Sequence, residues 1–249
     1  MQKIIQIEVC AYSVESCITA EKAGANRIEL CSGLYEGGLT PSIGLIIESK
    51  KAVNIEIFVM VRPRGGDFYY NETELKVIYS EIKAIKKTKV QGIVIGFLKK
   101  NGEVDTKILK EIVDYSYPLK VVFHRAIDLT PDPYDALEAI IDSGCIRILT
   151  SGHQNFAIDG IDTIEKLIKI ANKNIEIMAG SGINAQNAEK FILKNIDALH
   201  LSASSYRNSE MTYNNSKVPM GNFKLKFENQ IQFADFEKIK SIVSLINNK

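Results

Sequence analysis

Eight times along 249 residues a short apolar run gives way to a longer amphipathic segment. That alternation restricts the fold more than any other feature of the chain. The apolar runs are dense in Ile, Val, Leu and Phe and too short to stand as isolated helices, so they read as strands. They fall at 4–10, 27–31, 55–61, 90–96, 119–123, 145–149, 175–179 and 198–201. Between them the pattern predicts helices. Ser13 caps the first, which ends at Gly24. Pro41 sits in the first turn of the second, over 41–51. Others cover 72–87, 104–115, a stretch led by Pro131 and Pro133 up to Gly144, 160–172 and 185–194.

Connections of that length serve parallel crossovers rather than hairpins. Strands apolar throughout belong to a parallel sheet with helices packed on it. Eight such units in this length favour closure, so the expectation is an α/β fold: a single TIM-type (β/α)8 barrel over 1–249. No Gly-x-Gly-x-x-Gly follows the first strand, and no organic cofactor is implied. The carboxyl-terminal part, 206–249, is less typical. It reads as a polar loop or lid over 206–222, an extra strand at 223–227 and a closing helix at 233–246.

In such barrels chemistry gathers at the carboxyl ends of the strands. Those ends carry Glu8 with Cys10, Glu29 with Cys31, Arg62, His124 with Arg125, Thr150, Gly180-Ser181-Gly182, and His200 with Ser202. Side chains alternate along a strand, so each Glu shares a face with the Cys two residues on. Buried carboxylates need partners, expected here among Arg62, Arg125 or a histidine. His124 is a candidate general acid or base, because its ordinary pKa lies nearest neutrality. A core histidine is the competing reading.

Two loops suit anions. Arg62-Pro63-Arg64-Gly65-Gly66-Asp67 offers forked guanidinium donors on a sharply turning backbone. Gly180-Ser181-Gly182 presents backbone N–H groups after the seventh strand, where the next helix would add its positive end, and Ser202 adds a further donor. The same residues also fit a solvated surface loop and a tight turn, and both readings stay open.

The four cysteines and three histidines form neither Cys-x-x-Cys nor His-x-x-x-His, so no zinc site is preassembled in the sequence. A metal site would have to be built across strands. Cys10 and Cys31 end adjacent strands whose backbones run roughly 5 Å apart. Paired thiolates suit a soft ion such as Cu(I), although buried cysteine also serves as small apolar filler. Cys17 and Cys145 read as packing residues. A net charge of +1 gives no electrostatic case for nucleic acid or an anionic membrane. No apolar run approaches the roughly 18 residues of a membrane span. The amino terminus is too polar for a signal peptide, which makes the cytoplasm the expected location.

Several motifs together resemble the CutC family of copper homeostasis proteins. They are Glu8-Val9-Cys10-Ala11-Tyr12-Ser13, Arg27-Ile28-Glu29-Leu30-Cys31, Glu36-Gly37-Gly38-Leu39-Thr40-Pro41-Ser42 and Arg62-Pro63-Arg64-Gly65-Gly66-Asp67-Phe68. Phe123-His124-Arg125-Ala126, Leu149-Thr150-Ser151-Gly152 and Ile177-Met178-Ala179-Gly180-Ser181-Gly182 complete the set. The resemblance implies a TIM-type barrel, a cytoplasmic location and a part in copper tolerance or trafficking, with cysteines binding Cu(I). Cys10 and Cys31 are the positions that would carry it. Some members have a second cysteine directly after the first, where this chain has Ala11, one donor fewer.

Two functional readings follow. One is a copper homeostasis protein binding Cu(I) through Cys10 and Cys31. The alternative is a lyase, isomerase or hydrolase for a small anionic or sugar-like metabolite. There Glu8 or Glu29, with His124, would exchange protons, while Arg62, Arg125, Gly180, Ser181, Gly182 and Ser202 hold the anion. Whether the chain is an enzyme, and whether it forms a homo-oligomer, the sequence leaves open.

Overall fold

The computed structural model of the chain describes residues 5–213, 215, 218 and 229–247. Eight strands form a closed parallel barrel: β1 (Gln6–Ala11), β2 (Arg27–Leu30), β3 (Glu56–Met60), β4 (Gly92–Ile95), β5 (Lys120–Phe123), β6 (Arg147–Thr150), β7 (Glu176–Ala179) and β8 (Ala198–Leu201). β8 pairs with β1 to close the ring. The intervening helices are α1 (Val14–Ala23), α2 (Ile43–Ala52), α3 (Glu72–Ile85), α4 (Thr106–Ser116), α5 (Pro133–Ile141), α6 (Ile161–Ala171) and α7 (Ala188–Leu193). This is the TIM-type (β/α)8 architecture that the alternating pattern predicts.

Local signals account for most helix ends. The Ser13 side chain accepts from Ser16 N, and Gly24 closes α1 at φ +97°, a left-handed cap that suits glycine. Asn71 and Glu74 form a reciprocal capping box on α3. Two expectations need correction. Pro41 does not enter α2, because Ser42 is the cap and its side chain accepts from Leu45 N. The helix after β7 starts at Ala188 rather than 185. Asparagine side chains hold the intervening backbone in turns: Asn184 accepts from Gln186 N, Asn187 accepts from Asn184 N, and Asn187 donates to Gly182 O.

Alternation along the strands creates two apolar regions. Residues such as Ile7, Val9, Ile28, Leu30, Ile57 and Val59 belong to the large core between barrel and helices. The other side chains of the same strands fill the barrel interior. Phe58, Met60, Val94 and Val122 pack there with Cys31, while Leu149, Met178 and Ala198 form a smaller group. Each large apolar side chain so buried contributes roughly 1.5–3 kcal/mol. The interior beside β6, β1 and β2 is different, holding Glu8, Arg27 and Arg147, all buried.

After β8 the chain makes an antiparallel pair, β9 (Ser204–Asn208) with β10 (Gln230–Ala234), before α8 (Phe236–Asn247). The expected loop therefore begins as a strand, and Phe233 lies in β10 rather than in the closing helix. Ala234 N donates to Ser16 Oγ, tying this hairpin to α1. The strand expected at 223–227 lies outside the described residues. Among the described residues no helix is long and apolar enough to cross a membrane.

Candidate functional site

Parallel register sets the site's foundations. Glu8 stands level with Arg27 on β2 and His200 on β8, and Cys10 stands level with Glu29. Glu8 is fully buried. Its Oε1 lies 2.9 Å from His200 Nδ1, and its Oε2 lies 3.6 Å from Arg27 Nη1 and 3.9 Å from Arg147 Nη1. Gln6 Oε1 accepts from both arginines, Arg27 also reaches Glu56, Arg147 reaches Glu176, and Arg27 lies over the Phe58 ring. Burial pushes the Glu8 carboxyl up, but the His200 hydrogen bond and the charges of His200, Arg147 and Arg27 outweigh it and hold the group ionised. The expected partners were Arg62, Arg125 or a histidine. Only the histidine is found on Glu8, because the two arginines that begin β2 and β6 supply the rest.

Above this charged floor sits a sulfur–carboxyl cluster. Cys10 Sγ lies 3.8 Å from Cys31 Sγ, and Cys31 Sγ lies 3.6 Å from Glu29 Oε2. His200 Nε2 is 3.7 Å from the same Glu29 oxygen. Hydrogen bonding from Cys31 lowers the Cys10 thiol well below its ordinary value against the opposing effect of burial, helped by His200 and Tyr12. The shared proton, burial and the neighbouring Cys10 charge push Cys31 well above its own. Burial raises Glu29 above the usual carboxylate range. Burial alone would lower His200, but Glu29, Cys10 and Glu8 together raise it well above 6.5. Cys10, Glu29 and Cys31 present three ligand atoms within 4.8 Å of one another, as do Glu8, Glu29 and His200.

The wall from β3 to β5 is built on Phe68. Arg62 lies over its ring at 4.8 Å, and the His124 ring packs against it at 4.6 Å. Arg62 Nη1 donates to Glu36 O and Gly38 O, and Nη2 donates to Gly66 O at 2.7 Å. It thereby fastens two loops instead of lying solvated on the surface. His124 does not hold the near-neutral pKa expected of it. Burial, with the Arg62 charge, pushes it down to about 3, so the ring is neutral. Its Nδ1 accepts from Ala126 N, which places the proton on Nε2.

The rim differs from expectation too. Arg125 pairs with Asp128 at 2.9 Å and donates to Ser151 Oγ, so its charge is already matched. Asp128 also accepts from Thr150 Oγ1 and from the N–H groups of Ser151 and His153. The turn Gly180-Ser181-Gly182 does not run into a helix. Ser181 is left-handed at φ +83°, and its Oγ donates to Asn155 O. Glycine is needed at 180, where a Cβ would come within 2.6 Å of Leu149 Cδ1 and 3.1 Å of His200 Cβ.

These groups enclose a cavity of about 230 Å3 at the carboxyl ends of the strands. Cys10, Glu29, Arg62, His124, Arg125, Ser181, Gly182, His200 and Ser202 line it, with Tyr12, Met60, Phe68 and Leu149 among the others. Glu8 lies beneath it, which suits positioning better than direct acid–base work. His200 stands among the strand-end groups read from the sequence, though without a role of its own, while Arg27, Arg147 and Asp128 were missed. An arginine opening an otherwise apolar strand, as in Arg147-Ile148-Leu149-Thr150, is the signal that could have found two of them.

The CutC family profile matches residues 5–205 of this chain. A CutC family protein of Parabacteroides distasonis is 43% identical over 239 residues, covering 95% of this chain and 98% of its own. The human protein named copper homeostasis protein cutC homolog is 41% identical over 244 residues, covering 97% of this chain and 89% of its own. Among solved structures, the CutC crystal structure from Streptococcus agalactiae superposes with a TM-score of 0.76 at 33% identity. The match covers 80% of this chain and 98% of that one.

Proposed function

The chain belongs to the CutC family, and from that premise we propose that it serves copper homeostasis in the cytoplasm by holding Cu(I) between Cys10 and Cys31. One observation carries the reading: the two sulfurs lie 3.8 Å apart at the floor of the cavity. Soft thiolates are the donors that select Cu(I). At a metal–sulfur bond of about 2.3 Å, such a separation closes an angle of roughly 110° at an ion. That is too bent for two sulfurs in line and leaves room for a third donor. Glu29 Oε2, in the same ligand cluster, is placed to be it. A carboxylate is a hard donor, so it completes the site more weakly than a third thiolate would, which fits an ion that must also leave.

Cys10 lines the cavity, while Cys31 is fully buried beneath. An arriving ion therefore meets Cys10 first, where hydrogen bonds already favour the thiolate. Cys31 must then give up its proton. Tyr12 and His200 beside it also favour the Cys10 thiolate. All four cysteines are free, as a reducing compartment requires.

The test is an anaerobic Cu(I) competition titration against a chromogenic chelator, comparing the natural protein with a Cys10→Ser/Cys31→Ser variant. One equivalent retained by the first and lost by the second is expected. Equal retention by both would overturn the reading.

A further inference from the structure

Cys10 lies on one side of the cavity with Cys31 beneath it, and Cu(I) does not account for the β3–β5 wall. Arg62 is 6% exposed, yet among the described residues no carboxylate lies within ion-pair distance of it. Its Nη atoms are bound by three backbone carbonyls, which solvate the cation without neutralising it, and Nε has no partner. A buried, unmatched charge is costly unless an anion completes it. His124, 5% exposed, carries its proton on Nε2, and that N–H also has no partner among the described residues. Both residues line the cavity and pack on the same Phe68 ring.

We propose that this wall binds a small organic carboxylate, its charge matched by Arg62 and one oxygen taken by the His124 Nε2–H. A carboxylate suits it better than a phosphate. The guanidinium fork is largely used by the backbone, so few donors remain, whereas phosphate calls for many. The rim does not compete for the anion, because the Arg125 charge is matched by Asp128. Met60, Phe68 and Leu149 give the cavity apolar surface for a short carbon stem. At about 30 Å3 for a water-sized group, the 230 Å3 volume admits a molecule of a few carbons. The rest of that molecule would lie toward Cys10 and Glu29, whose Oε1 is buried without a partner among the described residues. The site is therefore one for short-chain organic acids beside the thiols.

The experiment uses the full, metal-free chain, so its result is independent of Cu(I) binding. Saturation-transfer NMR with pyruvate and acetate as probes should show binding at millimolar concentration. Inorganic phosphate should compete poorly. His124→Phe keeps a ring in the seat but removes the N–H, and should weaken pyruvate binding roughly tenfold or more, the loss of one charge-assisted hydrogen bond. If that variant fails to fold, the natural protein labelled with 15N-histidine decides. The His124 Nε2–H resonance should shift as pyruvate is added. No binding of either carboxylate, competition by phosphate at equal concentration, or binding that leaves both the variant's affinity and that resonance unchanged would overturn the proposal.

Discussion

His200 Nδ1 lies 2.9 Å from Glu8 Oε1, a bond that joins the last barrel strand to the first inside the closed sheet. Glu8 is also the carboxylate facing Arg27 and Arg147. Glu8→Gln keeps the shape but leaves two buried guanidiniums facing a neutral amide. The expected loss is roughly 3–5 kcal/mol, the cost of breaking a buried ion pair from one side, read as a lower denaturation midpoint in urea.

The same pair sets a pH window. The Glu8 pKa is lowered on folding, so its contribution is present above the unfolded value near 4.5 and is lost as pH falls through the folded value. The His200 pKa is raised, so its contribution is complete below 6.5 and is lost as pH rises through the folded value. Thermal melts of the natural protein should show these two contributions together between about pH 4.5 and 6.5. In Glu8→Gln the acid limb of that profile should flatten. An unchanged acid limb would show that other carboxylates control it.

Thiol chemistry gives a separate check. Cys10 is half-buried and held toward the thiolate, whereas burial pushes Cys17 up to about 11 and Cys145 up to about 12, and Cys31 also lies high. The thiolate is the nucleophile. Iodoacetamide at neutral pH should therefore alkylate Cys10 first, followed by peptide mass mapping. Labelling of Cys145 or Cys17 ahead of Cys10 would contradict the environment described for it. Cu(I) bound at Cys10 should protect it.

The barrel was legible because burial on both faces makes each strand an unbroken apolar run, and because Ser13 and Gly24 mark helix ends chemically. The pairing of Cys10 with Cys31 followed from strand adjacency alone. What escaped depends on register. Which arginines face Glu8 is decided by how β2 and β6 align with β1 around the closed barrel, and nothing in the local sequence encodes it. His124 misled for a related reason: its ordinary pKa belongs to water, and the Phe68 ring that buries it arrives from a loop 56 residues earlier in the chain. Likewise, Arg125 is matched by Asp128 only because a 3-10 turn, Arg125–Leu129, brings residues three apart together.

Gly96 shows how closely the His124 seat is fitted. A Cβ at 96 would meet His124 Cε1 at 2.1 Å and Nδ1 at 2.5 Å. The ring cannot yield easily, because its Nδ1 accepts from Ala126 N and one face packs on Phe68. Gly96→Ala should therefore displace the imidazole and cost about 1–3 kcal/mol, as overpacking does. Side-chain NMR of His124 should report a changed environment even where the fold survives. A variant with natural stability and an unshifted His124 signal would show that the backbone at 96 adapts freely.

Arg62 binds the loop carrying Glu36 and Gly38 to the loop carrying Gly66, and its backbone is tied to Thr40 in both directions: Thr40 N donates to Arg62 O, and Arg62 N donates to Thr40 Oγ1. Lysine would keep the charge, but a single ammonium on a flexible stem cannot reproduce a planar fork spread over three carbonyls. Arg62→Lys should free the 33–38 segment while the barrel, packed through separate strands, stays folded. Losing two of the three hydrogen bonds should cost roughly 1–3 kcal/mol. Faster hydrogen exchange and proteolysis confined to 33–38 and 63–67 are the expected outcome. Unchanged protection there would mean that the loops hold themselves, through pairs such as Ser32 with Leu39, and that the guanidinium is free for the cavity alone.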